Sequence, residues 1–322
     1  MEGFCVILLE TPPRLQVCFD NLTLSPGELF KGVKNIPFGS HLVCTSWKLG
    51  KSSFFLFAAK PEVFVFKWVG ESEEYQRLDT ETEVMYETSL YEFLPMMVEY
   101  TKESLIGWQE LTSYITQDTV CKIQPLSNQI LSTKKEYDSD PTEFESFVSK
   151  QLLHYTNVPS RYSKPDLTPA EITKFNYDKS RIFTDLMNKE FLRTENLLAE
   201  FQFAFVSFLI AENCESFEQW KSLLILLCNC EEALISFSKF FIDFIPVLYN
   251  QVKNLPKDLI FDPFLSGSFI TSCLKSLVSV LQDPQLPSQL QIRGSKLSSL
   301  LQSEFGIAEF EMLNDEEAPV IL

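Results

Sequence analysis

From residue 4 to about residue 78 the apolar positions fall in short runs rich in Val, Phe, Leu and Trp: CVILLE, LQVCFD, HLVCTSW, SSFFLFAAK and EVFVFKWVG. Pro, Gly, Ser and Asn separate them, and runs of this length and composition predict β-strands. In EVFVFKWVG, Val63, Val65, Lys67 and Val69 share one face, while Phe64, Phe66 and Trp68 share the other. The aromatic face is the better core candidate. After Thr80 the spacing lengthens. Met85, Leu90, Phe93 and Leu94, then Leu105, Trp108, Leu111 and Ile115, fit helical stripes that would cover one side of the sheet. The pattern predicts an α+β fold whose first domain, residues 1–125, is β-rich and sandwich-like with covering helices.

Residues 126–166 carry a weaker signal. STKKEYDSDPTE clusters charges and serines, VPSRYSKPD adds two prolines, and the stretch reads as a solvated linker with one short helix. Regular structure resumes at LTPAEITKF. Thr168 is placed as an N-cap, Pro169 as the first helical residue and Glu171 as the acid of a capping box. Helices are then predicted near 169–190, 195–212, 216–229, 231–253, 268–282 and 288–304, making residues 167–308 an all-α domain. The second, with Phe201, Phe205, Phe208 and Leu209, is apolar on nearly every side and suits a central helix enclosed by other helices. The third is amphipathic, with Phe217, Trp220, Leu224 and Leu227 opposed to Glu218, Lys221 and Ser222. Pro246 is expected to kink the fourth. Residues 309–322 form an acidic tail that ends in Val320, Ile321 and Leu322. Such an end can be irregular, dock on its own body, or be donated as a strand to a partner.

Composition narrows the functional classes. The 322 residues, 45% of them hydrophobic, suffice for two cores. Against 27 Lys and Arg stand 44 Asp and Glu, a formal charge of −17, which repels phosphate backbones and favours a basic protein partner. Direct nucleic-acid binding is therefore not expected. MEGFCVILLE reads as a first strand rather than a secretory signal. FQFAFVSFLIA, residues 201–211, is too short to cross a bilayer. Eight cysteines without dense spacing suggest reduced thiols, and Cys228 and Cys230 read as buried helical thiols rather than a zinc site.

Chemistry is sparse. His41 and His154 are the two histidines, which leaves little for a His-based metal site or a Ser-His-acid triad. Phosphate-loop and nucleophile-elbow spacings are absent from the sequence. No catalytic, cofactor-binding or metal-binding residue is assigned. Acid pairs such as Glu231–Glu232 and Glu316–Glu317 read as solvated charges. The stretch GVKNIPFGSH reads as a shaped turn: Gly32 and Gly39 supply backbone angles closed to other residues, Pro37 limits the chain between them, and Val33 and Lys34 complete the motif. His41 then reads as a hydrogen-bonded structural residue.

CVILLETPP followed by FKGVKNIPFGSH, then LTPAEITKF and LAEFQFAFVSFLIAENCESFEQWKSLLILLC, resemble in order and spacing the hallmark stretches of one family. It is the U5 small nuclear ribonucleoprotein assembly factor family, named for a-one/alpha-two repression. The resemblance spans both domains. It implies a non-enzymatic factor of pre-mRNA splicing whose helical domain is VHS-like. Its partner would be the large U5 scaffold protein, held through the RNase H-like and Jab/MPN-like domains in a cytoplasmic precursor before nuclear maturation. Trp220 and Lys221, on the amphipathic helix, and Val320, Ile321 and Leu322 are the candidate partner-binding residues. The helical domain alone would also fit a membrane-traffic adaptor, and the β-rich half an unrecognised hydrolase.

Overall fold

The computed structural model describes residues 3–47, 50–132, 151–162, 167–261 and 267–307. The described residues group into two compact units, one within Met1–Tyr155 and Ala199–Gln219, the other within Thr156–Leu198 and Trp220–Leu322.

The first unit is built on two five-stranded sheets. One has the order β8-β7-β1-β4-β9, from Glu74–Arg77 (β8), Val63–Val69 (β7), Phe4–Leu9 (β1), Gly32–Ile36 (β4) and Val98–Glu99 (β9). The other runs β10-β6-β5-β2-β3, from Ile130–Leu131 (β10), Gly50–Ala58 (β6), Gly39–Trp47 (β5), Gln16–Phe19 (β2) and Leu22–Leu24 (β3). All five predicted strands are present. Strand β1 pairs in parallel with β7 and antiparallel with β4, so its sides are both occupied. Both of its faces are also buried, in two separate cores, and that explains its unbroken apolar run. Phe4, Val6 and Leu8 join Phe64, Phe66 and Trp68 in the main core, where the Phe66 ring stacks on Phe54 of β6 at 4.5 Å. Cys5, Ile7, Val63 and Val65 form a second core under Leu90, Met97 and the partly buried Tyr86 and Phe93. The helical cover is therefore real.

Met85, however, is 67% exposed rather than part of that cover. A polar residue sets the phase of the helix Thr80–Thr88. Glu83 is buried and accepts from the Val65 backbone N–H at 3.2 Å and from Arg77 Nε and Nη2 at 2.8 and 2.9 Å. With Glu83 inward, Tyr86 and Leu90 follow at helical spacing, and Val84 and Met85 turn outward.

GVKNIPFGSH also differs from the expected turn. Its first five residues are β4 and its last three begin β5, so only Pro37 and Phe38 connect two strands. The linker is more docked than its composition suggests: Ile130, Leu153 and Tyr162 are buried. The charged stretch beyond Ser132 lies outside the described residues.

The first unit also takes in part of the helix Thr194–Leu209, whose residues 197–207 are all buried. Phe203 stacks on Phe55 at 4.4 Å, and Gln202 Oε1 accepts from the Tyr114 N–H at 2.8 Å. The expected enclosure by other helices is corrected here, because from Ala199 onward the helix groups with the sheets and buries its aromatic side on β6.

In the second unit the helix Pro169–Tyr177 starts as the sequence dictates, with Thr168 and Glu171 making a reciprocal capping box. The long helix expected to residue 190 is broken. Asp178 leaves helical geometry, Ser180–Leu186 resumes it, and a π-helical turn follows at Met187–Phe191. The fourth predicted helix likewise divides into Glu231–Ser236 and Ser238–Lys253, at Phe237 and not at Pro246, which sits inside a continuous helix. Lys257–Phe261, Gly267–Leu281 and Ser288–Phe305 follow, with Gly294 set so closely on Leu281 that a Cβ would lie 2.7 Å from its side chain. Among the described residues no helix is long and apolar enough to cross a membrane.

Candidate functional site

The sequence motif around Gly32 has a mechanical explanation at each position. Gly32 lies opposite Ile7 in the β1–β4 ladder with φ of 130°, and a Cβ there would run into the Val6 carbonyl oxygen. Gly39 has φ of 133° but open space around it. Val33 enters the main core, and Lys34 Nζ donates to the Leu94 carbonyl at 2.9 Å. Pro37 offers its carbonyl to His41 Nε2 at 2.9 Å.

His41 is buried and fully engaged. A carbonyl only accepts, so Nε2–H donates to Pro37 and Nδ1 shares its hydrogen bond with Asp20 Oδ2 at 2.6 Å. Tyr100 Oη donates to the same carboxylate oxygen at 2.7 Å and the Leu42 N–H to the other at 2.8 Å. Two donors besides the imidazole thus satisfy both carboxyl oxygens of Asp20. Burial, then the neighbouring Asp20 charge, pushes the Tyr100 phenol well above its ordinary range. The constellation superficially has the parts of a general-base relay. Its geometry braces β2, β5 and the segment before the Lys102–Thr112 helix, and the imidazole is only 1% exposed. No short-range pattern pointed to Asp20 or Tyr100, because they stand 21 and 59 positions from His41.

Trp220 is not a surface anchor. It is completely buried, and its indole Nε1 donates to Gln251 Oε1 at 2.8 Å. The amphipathic pattern was sound, but the tryptophan serves the core. Lys221 stays partly exposed, with Nζ 5.4 Å from the Phe269 ring centroid. Val320, Ile321 and Leu322 lie outside the described residues.

A cavity of about 290 Å³ in the second unit is bounded by Tyr177, Lys179, Asn229, Leu234 and Val280. Asp178 stiffens one wall. Its Oδ1 accepts from the Ser180 N–H and hydroxyl at 2.8 and 2.6 Å, and its Oδ2 from the Glu232 N–H at 3.0 Å. Ser180 Oγ in turn accepts from the Ala233 N–H at 2.8 Å. Cys228 and Cys230 are buried as expected, although only Cys228 is helical and Cys230 stands in the break before Glu231–Ser236, and burial pushes both thiols well above the usual range. Neither has the electropositive, accessible setting of a reactive cysteine. Among the described residues no group of three or more His, Cys, Asp or Glu is arranged to hold a metal ion. The site thus presents shape and charge.

Comparison with known proteins gives this frame a family context. The AAR2 N-terminal domain matches residues 2–125 and the AAR2 C-terminal repeat region residues 155–309. The human protein AAR2 homolog is 28% identical over all of this chain and 94% of its own length. The Caenorhabditis elegans protein AAR2 homolog is 29% identical, covering 88% of this chain and 87% of its own. The A1 cistron-splicing factor AAR2 of Saccharomyces cerevisiae is 24% identical, covering 91% of this chain and 90% of its own.

Proposed function

The chain belongs to the AAR2 family, and from that premise we propose that it is a non-catalytic splicing factor that binds the large U5 scaffold protein and chaperones U5 and tri-snRNP assembly. The observation that carries this reading is the match of both family regions, in order, together with near full-length similarity to a protein named as a splicing factor.

The chemistry supports a binding role. The histidine best placed for proton transfer is enclosed in the core with its partners satisfied. An acidic chain suits a basic protein surface and disfavours phosphate backbones. The proposed contacts are the RNase H-like and Jab/MPN-like domains of the scaffold. On this chain they are assigned to the outer side of the helix Cys214–Cys228, including Lys221, and to Val320, Ile321 and Leu322 as a donated strand. No cofactor is required, and the factor would work first in the cytoplasm and then in the nucleus.

The test mixes the purified chain with purified RNase H-like and Jab/MPN-like domains of the scaffold protein and follows co-elution by size exclusion. Affinity capture from an extract, read by mass spectrometry, provides the second arm. A stable complex and enrichment of the scaffold are expected. Separate elution of folded components at micromolar concentration, with no enrichment, would overturn the reading.

A further inference from the structure

The outward phase of the first helix leaves an apolar stripe that nothing among the described residues buries. Val84 is 55% exposed, Met85 67% and Tyr91 70%. They lie along Thr80–Thr88 and the following turn Leu90–Phe93, whose opposite side is seated on the second core. Val84 and Thr88 are four positions apart on the first helix and Tyr91 follows past the break at Ser89, so that in sequence the small Thr88 separates two larger side chains.

The segment that carries the stripe is acidic. Residues 78–101 contain six Asp or Glu and no Lys or Arg. Asp79, Glu81, Glu87 and Glu92 are exposed, whereas Glu83 is turned inward and held by Arg77. This arrangement is costly to leave in water but well suited to a complementary surface.

The geometry points to this stripe as a docking site for a cationic amphipathic helix of a partner protein. Apolar side chains of the partner would pack on Val84, Met85 and Tyr91 across the notch at Thr88, and flanking Lys or Arg would face Glu81, Glu87 and Glu92. Ridge-into-groove packing uses the same i, i+3 and i+4 rows. A second copy of this chain is disfavoured, because its own stripe would bring acid against acid. The inference does not depend on the splicing reading, since it rests on exposure, phase and charge alone.

The probe is a fluorescein-labelled amphipathic helix of about 18 residues, five turns long, with Leu on one face and Lys flanking it. A control peptide carries Glu in place of Lys. Anisotropy with the full chain is read at about 0.1 M salt, where the screening length is roughly 10 Å. Val84→Ser/Met85→Ser and Tyr91→Ser are each expected to weaken the Lys peptide by about tenfold or more. Ile292→Ser, an equally exposed change elsewhere, is expected to alter it less than about twofold. The Glu peptide should not bind. Circular dichroism confirms that the variants are folded. Equal binding to every variant would reduce the effect to general attraction by an acidic chain and overturn the site, as would absence of binding or equal binding of the Glu peptide. Light scattering that shows a dimer dissolved by Met85→Ser would assign the stripe to self-association and overturn it too.

Discussion

Asp20 receives hydrogen bonds from His41, Tyr100 and the Leu42 backbone in a region closed to water. Removing the imidazole leaves the buried Asp20 side chain without one of its hydrogen-bond partners. His41→Ala is expected to lower unfolding free energy by roughly 2–4 kcal/mol, read from urea denaturation. A loss under about 0.5 kcal/mol, the range of an ordinary surface change, would mean that the network is not bracing the strands. The two motif glycines should also separate. Both have strongly positive φ, but at Gly32 a side chain additionally collides with the Val6 backbone. Gly39→Ala should cost roughly 1–3 kcal/mol, and Gly32→Ala clearly more, in parallel denaturation curves. Equal costs would show that φ alone governs both. The glycine demand was legible in the sequence, because few residues reach such angles. The Asp20 partnership was not, since nothing local distinguishes a buried acid from a solvated one.

At the scale of elements, apolar periodicity located strands and helices well but misjudged phase and breaks where one polar side chain decides. In Thr80–Thr88 that side chain is Glu83; at residues 178–180 it is Asp178, whose bonds to Ser180 and Glu232 replace the helical ladder. Glu83→Ala should therefore cost roughly 1–3 kcal/mol, through the orphaned Val65 N–H and the unpaired Arg77, while Met85→Ala should change stability by less than about 0.5 kcal/mol. A reversed order would place Met85 inward and undo the phase assignment. The helix beginning at Pro169 offers a pH test. Hydrogen bonds from the Thr168 side chain, then its backbone, hold the Glu171 carboxyl below its usual value. A depressed folded pKa means that its stabilisation is present above the unfolded pKa, near 4.5, and is lost as pH falls through the folded value. Thr168 amide exchange should accelerate below that point in the native chain more than expected from intrinsic rates, and Glu171→Gln should flatten the response. An unchanged pH profile in the variant would show that the capping box is not the cause.

For the molecule as a whole, the linear division into a β-rich half and a helical half hides a contact that no periodicity could disclose: residues 199–219 group with the sheets. Phe203 covers Phe55, the Ile210 carbonyl receives Lys51 Nζ at 3.0 Å, Asn213 Nδ2 donates to the Leu131 carbonyl at 2.7 Å, and Tyr155 Oη donates to Ser216 at 2.8 Å. The sequence supplied the apolarity of this helix but not which surface would receive it, because the deciding partners lie more than 50 positions away. A fragment of residues 1–155 should consequently be incomplete rather than an independent domain. It would uncover Phe55 and the thiol of Cys44, whose Sγ lies 3.7 Å from the Ile210 carbonyl and whose pKa burial pushes up to about 11. In the full chain, alkylation of Cys44 is expected to be slow. In the fragment it should accelerate by at least about tenfold as the thiol regains an ordinary pKa near 8.5 and solvent access, with dye binding that reports exposed apolar surface. Peptide mapping after brief iodoacetamide treatment separates Cys44 from the exposed Cys121. If Cys44 reacts equally slowly in the fragment and the fragment unfolds cooperatively at the same denaturant concentration, the sheets close without residues 199–219, and the helix is an attachment to the unit rather than part of its core.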